Sequence, residues 1–453
     1  MRIAVIGGLA AGPAAAAEAA RRAPDAQVVM YEAGPHISVG TCELPYALGG
    51  RLTPDADLVV VTPEEMKRSR GVDVFVHHRV TALDARTGTL TVDALEFGAT
   101  REERFDRVIL ATGAKARRLE VDGEDAAGVF ELRDLVDKEQ IERWLETEPV
   151  RHVVVVGGGY VGLEAAEAMR DRGIRATILD PSGRVLNSTV ACEASDLLND
   201  AVLEAGVTVR PERVTEVVAS GDGRVTAVRT DAGEIIGCQM VIASVGIEPR
   251  TELAKAAGLK LGSQGGLEVD DHMRTSSQRV WACGDVVEIP RAPDGQRVLW
   301  PLATTARRTA RVAARNATSM TPADRFRPFA GSVAVLAFGI EVGSVGLSLS
   351  QAQDAGIDAV AADIRHKSRT GAFEDSKPID VRLVVEKGSG RILGGQLVGA
   401  EGAALRANVL APLVQSKATA RELAEDIDLL YTPPLAPAVD PLKIAASRAL
   451  HLT

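Results

Sequence analysis

Apolar and polar positions along this chain change period several times, and the changes outline its elements. Residues 2–6, RIAVI, are an apolar run without alternation, the pattern of a strand buried on both faces. Gly-Gly-x-x-x-Gly follows at 7–12, then an alanine-rich stretch to Arg22 that reads as helix. A second apolar run, AQVVMYE, ends in Glu32. The same order returns from Arg151: RHVVVV, the glycines Gly157, Gly159 and Gly162, a helical stretch, and RATILD ending in Asp180. Three further strand-like runs are FDRVILATG (105–113), CQMVIASVG (238–246) and RVWACGD (279–285). From about Phe326 the chain alternates β-runs (SVAVLAFG, EVGSVGLS, IDVRLVVEK, RILGGQLVG) with two helical stretches. The pattern predicts an α/β protein: two Rossmann-like dinucleotide-binding units, then a compact α+β domain with an open sheet.

The two glycine-rich units carry the first chemistry. Glycines let backbone approach a pyrophosphate, which sits on the N–H groups of a helix start, and an acid ending the second strand holds a ribose diol. Strand before, helix after and acid at the right distance make each pattern specific. Gly7, Gly8, Ala11, Gly12 and Glu32 form one set, and Gly157, Gly159, Gly162 and Asp180 the other. Two complete units imply two bound dinucleotides. Asp180 accepts from a ribose 2′-OH and repels a 2′-phosphate, so NADH is favoured and NADPH is the alternative, with Arg184 close enough in sequence to soften the choice. Ala111, Thr112 and Gly113 close one strand, Gly246 opens a Gly-x-x-Pro turn, and Gly284 with Asp285 offers close approach and an acceptor for a polyol.

Composition narrows the class. At 453 residues the chain is long enough for two or three domains. A net charge of −10 argues against broad nucleic-acid binding, which needs a basic face. No segment approaches the ~20 apolar residues of a membrane span, and glycines and Glu18 interrupt the N-terminal apolar stretch before it resembles a leader. The four cysteines, Cys42, Cys192, Cys238 and Cys283, show no CxxC or CxxxxC spacing, and the seven histidines no metal-ligand spacing. Neither a disulfide framework nor a metal site is expected, and a reducing, cytoplasmic setting fits. His36, six residues before Cys42, is within reach of its site but is expected in a surface loop. Cys42 is followed by ELPYALGG, which can begin a helix, and a thiolate at a helix start is stabilised there.

The order GGxAAG…E, ATG, GGGYVGLE…D, the turn at 246–249 and ACGD resembles the pyridine nucleotide–disulfide oxidoreductases over essentially the whole chain. The resemblance implies an FAD-binding domain from 1–115 and 245–325, an NAD(P)H-binding domain at 116–244, and a C-terminal dimerisation domain at 326–453 that makes a homodimer. Without CxxxxC or a C-terminal His-Pro pair, the chain is similar to the single-cysteine branch: coenzyme A disulfide reductases, persulfide reductases, NADH oxidases and NADH peroxidases. Their Ser-Cys-Gly-x-Pro-Tyr signature reads Thr41-Cys42-Glu43-Leu44-Pro45-Tyr46 here.

What the resemblance implies residue by residue is as follows. Cys42 is the redox sulfur, cycling between thiolate and a mixed disulfide whose second sulfur comes from the substrate. Tyr160 gates the nicotinamide, with Val161 and Glu164 beside it in the second loop and helix. Tyr431 reaches from one subunit to the cysteine of the other. Arg21, Arg22, Ser38 and Arg311 bind the substrate, coenzyme A in such enzymes, although an arginine pair at a helix C-terminus also simply balances the helix dipole. The first loop, GGLAAGP, lacks the histidine of oxidase and peroxidase members, which favours the disulfide and persulfide reductases. Three features depart from that pattern: Glu43 replaces the usual glycine, a second interface tyrosine is absent from 365–373, and an asparagine is absent near Arg307. The expected activity is FAD-dependent, NAD(P)H-driven reduction of a low-molecular-weight disulfide or persulfide. The competing readings are an oxidase or peroxidase using a cysteine sulfenate, a flavoprotein passing electrons to a protein partner, and a redox sensor.

Overall fold

The computed structural model describes residues 1–52, 58–187, 196–321 and 323–453. Cys192 lies outside the described residues. Among the described residues, three five-stranded sheets organise the chain. The first is wholly parallel, in the spatial order 280–282, 107–110, 2–6, 27–31 and 73–75. The second is also parallel, in the order 208–210, 175–179, 152–156, 240–243 and 129–130. The chain therefore leaves the first sheet after Leu110, builds the second, and returns to the first at Val280.

Both central strands are buried on two faces, which is why RIAVI and HVVVV lack alternation. The helices covering them are lined with alanine. Ala15, Ala16 and Ala19 of the helix Ala11–Arg22, and Ala310, Ala313, Ala314 and Ala317 of the helix Ala303–Ala317, are all fully buried, and these two helices pack on one another. Small side chains bring the helices close to each other, so this core is filled with few aromatic rings.

The third sheet is antiparallel, in the order 332–337, 340–346, 392–399, 378–386 and 359–367. The helices Ala403–Ala407 and Pro441–Ala449 pack on it. On the same C-terminal unit, Leu405, Leu430 and Leu435 are strongly exposed. Among the described residues, no helix is long and apolar enough to cross a membrane.

Candidate active site

The first glycine loop folds under the end of a neighbouring strand. Gly7 has φ +107°, and a Cβ on it would fall 2.1 Å from the Ala111 carbonyl oxygen. A Cβ on Gly12 would fall 1.8 Å from the Gly7 carbonyl oxygen. No other residue fits either position. The helix that starts at Ala11 has no side-chain cap and no acid in its first turn, so its leading N–H groups stay available to an anion. Glu32 braces the loop: Gly8 N donates to its Oε2 at 2.5 Å and Gly34 N to its Oε1 at 2.7 Å.

The second loop repeats this construction. Gly157 has φ +103° with the Ser244 carbonyl oxygen 2.3 Å from its would-be Cβ, and Gly162 stands in the same relation to Gly157 at 2.0 Å. The helix Tyr160–Asp171 starts from Gly159, again without a side-chain cap, with Val161 exposed in its first turn. Asp180 accepts from Gly158 N at 2.9 Å and from Ser182 Oγ at 2.6 Å. Arg184 turns instead to Asp196, at 3.0 Å. The arginine that sequence proximity placed beside the ribose acid thus has a different anionic partner.

Gly7, Gly8, Ala11, Glu32, Ala111, Thr112, Gly113 and Asp285 line one cavity, and Cys42 lines it too. Gly12 sits beneath the loop as a packing residue. Gly284, at φ +82°, would bring a Cβ within 2.8 Å of the Ala11 Cβ, so it keeps the 284–286 turn close to the first helix. Gly246 lies outside the cavity wall, and its carbonyl accepts from Arg117 N at 2.9 Å, where residues 114–116 pair with 247–249. His36 is half-buried in the loop after Glu32 and also lines the cavity.

Arg133 stands on the same wall, unforeseen from the sequence. Its Nη2 donates to Asp285 Oδ2 at 2.7 Å, while its buried Nε has no partner. The available signal was Asp134 with Asp137, an acid pair that caps the helix Leu135–Thr147 and so fixes Arg133 at its entrance. A glycine cradle, an uncapped helix start and an orphaned guanidinium donor together fit a dinucleotide with anionic and carbonyl acceptors, such as FAD. The first loop, Glu32, 111–113, Arg133 and Asp285 are the residues that would hold it.

Cys42 lies within a single 3-10 turn, Thr41–Glu43, directly before the helix Leu44–Leu48. Its residue is exposed at the cavity mouth. The helix-start expectation is only half met, because the thiol is pushed above its ordinary value, not below it. Desolvation by the cleft wall is the main cause, followed by the charges of Glu43 and Glu164; Arg133 pulls the other way. The Glu43 carboxylate folds back over Gly40, close enough that a Cβ there would meet its Oε2 at 2.5 Å. Cys238 and Cys283 are buried and pushed up to about 12, as befits inert space-fillers.

Tyr46, four residues after Cys42, donates from its hydroxyl to Glu164 Oε1 at 2.9 Å. Burial pushes Glu164 up to about 7. The sequence signature contained Tyr46 without assigning it a task.

A second cavity, of about 660 Å³, collects Arg21, Ser38 and Arg311 with Arg70 and Arg307. Arg22 is not on it. The buried Glu18 carboxylate receives Arg21, Arg22 and Arg315, so Arg22 serves an ion-pair cluster at the helix end. Arg70 ends the helix Pro63–Arg70, and nothing in the sequence links it to Arg21. Tyr431 is exposed on the C-terminal unit and does not line the Cys42 cavity of its own chain. Among the described residues, no cluster of side chains has metal-ligand character.

The family described as pyridine nucleotide-disulphide oxidoreductase matches residues 1–310, and its dimerisation domain matches 333–442. The chain is 32% identical to a NAD(P)H coenzyme A polysulfide/persulfide reductase of Pyrococcus horikoshii, over 98% of this chain and 97% of the relative. It is 29% identical to an NADH oxidase of Methanocaldococcus jannaschii, over 99% of each. Its fold is similar to that of reduced Bacillus anthracis CoADR-RHD, with a TM-score of 0.95 at 29% identity, over 100% of this chain and 80% of that one. With two glycine-cradled nucleotide sites, one cysteine at the mouth of the first and a matching dimerisation domain, this chain belongs to the pyridine nucleotide-disulfide oxidoreductases, FAD-dependent enzymes that draw on a nicotinamide nucleotide.

Proposed function

We propose that this enzyme uses NAD(P)H to reduce the sulfur–sulfur bond of a low-molecular-weight disulfide or persulfide, with coenzyme A as the thiol carrier and Cys42 as the reacting sulfur. One observation carries the reading: among the described residues, Cys42 is the one cysteine on the cavity that the first glycine loop lines. Residues 1–115 and 245–325 are proposed to bind FAD, 116–244 NAD(P)H, and 326–453 to form the dimer. NADH is favoured, because an acid closing the second strand, as Asp180 does, would accept from a ribose 2′-OH and repel a 2′-phosphate, and Arg184 is paired with Asp196. The reaction runs between dissolved molecules in the cytoplasm, without membrane or nucleic acid.

Cys42 as thiolate attacks one sulfur of R–S–S–R, forming Cys42–S–S–R and expelling R–S⁻. FAD, when bound, supplies the two electrons that reopen this mixed disulfide to the Cys42 thiolate and a second R–S⁻. The arginine cavity beside Ser38 provides forked donors for the phosphates of a coenzyme A-type substrate. Tyr431, exposed on the C-terminal unit, is the residue that would reach the other subunit's Cys42 site and donate a hydrogen bond to its sulfur. Arg133 holds Asp285 and counters the acids around the thiol.

The test is NADH consumption by the FAD-loaded enzyme with coenzyme A disulfide or persulfide, with free thiol measured alongside. Dependence on the added sulfur substrate, and its loss in Cys42→Ser, is expected. Unchanged turnover in Cys42→Ser overturns the proposal. The second reading, an oxidase or peroxidase forming a Cys42 sulfenate, gains from His36 on the cavity wall. It predicts consumption with oxygen or peroxide alone.

A further inference from the structure

The helix Leu44–Leu48 is the direct continuation of the Cys42 turn, and it packs on the helix Tyr160–Asp171 that opens at the second glycine loop. Leu44 and Leu48 are fully buried in this contact. Tyr46 sends its hydroxyl across the contact to Glu164, four residues into the second-loop helix from Tyr160. The Leu336 carbonyl oxygen, from the third sheet, stands 3.4 Å from the same hydroxyl. Glu164 is therefore an ionisable group that the fold brings within electrostatic reach of Cys42, and Tyr46 is its hydrogen-bond donor.

We propose that Tyr46 is a positioning residue that, by donating its hydroxyl to the Glu164 carboxylate across the contact between the two helices, tunes the reactivity of the Cys42 thiol. A phenol that donates to a carboxylate favours the ionised carboxylate. An ionised Glu164 opposes ionisation of Cys42, as like charges do. Glu43 lies on the cysteine's own turn, and Arg133 and Asp285 face it from across the cavity, with His36 on the same wall. Glu167 shares the helix of Glu164 and is paired with Arg51 at 2.8 Å, which also binds Asp171. Beside the third sheet, Phe338 N donates to Glu167 at 2.6 Å. Glu164 thus has Tyr46 as its direct partner, while Glu167 is already neutralised.

The test reads the thiol and not turnover. Alkylation of Cys42 by iodoacetamide is followed across pH in the FAD-loaded, dithiothreitol-reduced enzyme, by mass spectrometry of the Cys42 peptide. Glu164→Gln removes the like charge and is expected to alkylate about threefold faster at neutral pH, from a midpoint about half a unit lower. Tyr46→Phe lets Glu164 hold its proton to higher pH and shifts the midpoint in the same direction. The double variant matches Glu164→Gln alone. An unchanged midpoint in Glu164→Gln overturns the proposal, as does a Tyr46→Phe shift that persists in the Glu164→Gln background, which marks a packing effect. The inference rests on Cys42 as the reacting sulfur, whereas alkylation needs no substrate, so failure here is distinguishable from full turnover in Cys42→Ser.

Discussion

Arg133 and Asp285 stand 152 residues apart in the chain and meet at 2.7 Å on the wall of the cavity that Cys42 lines. The arginine arrives at the entrance to the helix Leu135–Thr147, and the aspartate in the turn after the strand 280–282. Of the charges acting on the thiol, Arg133 favours the thiolate while Asp285 opposes it, so the pair sets a local balance. Arg133→Met leaves Asp285 unpaired beside the sulfur. Cys42 alkylation at neutral pH is expected to slow severalfold, measured on the FAD-loaded enzyme; an unchanged rate excludes this balance.

Glu164 carries a pH signature of its own. Its carboxyl titrates near 7 in the fold against an ordinary 4.5. The folded chain thus keeps a proton that the unfolded chain loses between those values. Stability from this group is full below 4.5 and declines as pH rises through 7. Glu164→Gln keeps an acceptor for Tyr46 and removes the charge. It is expected to raise the Tm at pH 8 by roughly 2 °C or more and to leave it nearly unchanged at pH 4.5. Thermal unfolding at the two pH values, with FAD saturating, checks the sign.

The arginine cavity makes a prediction about affinity. Arg70 and Arg311 reach it from different helices, and neither touches the Cys42 cavity. Arg70→Gln and Arg311→Gln should each raise KM for coenzyme A disulfide about tenfold with kcat little changed, the result of losing a charge-assisted pair. The effect should shrink in high salt and be absent with a disulfide that lacks phosphates. Equal losses on both substrates would show that the cavity binds something else.

Asp180 is predicted to set nucleotide choice. Asp180→Ala removes the acceptor for a ribose diol and the charge that repels a 2′-phosphate. KM for NADH should rise about tenfold and KM for NADPH should fall, narrowing the preference. Initial rates with the two nucleotides decide it, and a preference that survives Asp180→Ala points to another determinant.

Tyr431 is exposed and has no place on its own chain's thiol cavity, so its proposed role requires a second subunit. Cys42→Ser and Tyr431→Phe homodimers, each impaired, should regain activity when mixed and exchanged. In the heterodimer one site is doubly altered and the other is intact. Recovery approaching half of the unaltered enzyme per active dimer is expected. Exchange without recovery places Tyr431 in its own subunit's site or outside the reaction.

Much of this protein was legible in its sequence. RIAVI and RHVVVV, the glycines at 7, 12, 157 and 162, and the closing acids Glu32 and Asp180 stand in a fixed order within each unit. Their signals are local: unbroken apolar runs, and glycines where a Cβ would strike backbone, although the backbone that Gly7 and Gly157 meet, at Ala111 and Ser244, comes from a distant strand end. Such features repeat wherever the same turn is built, so the sequence determined both nucleotide-binding units and singled out Cys42. The tertiary structure decided what surrounds that sulfur. Arg133 with Asp285, Tyr46 with Glu164, and Arg70 beside Arg21 join elements that are distant in the chain. It also brought the His36 loop to the cavity, left Arg22 on Glu18, and raised the thiol where a helix start alone would lower it. Charge acts through space, and its strength depends on distance and on how much water the fold excludes. Neither quantity exists until the sheets and helices have packed.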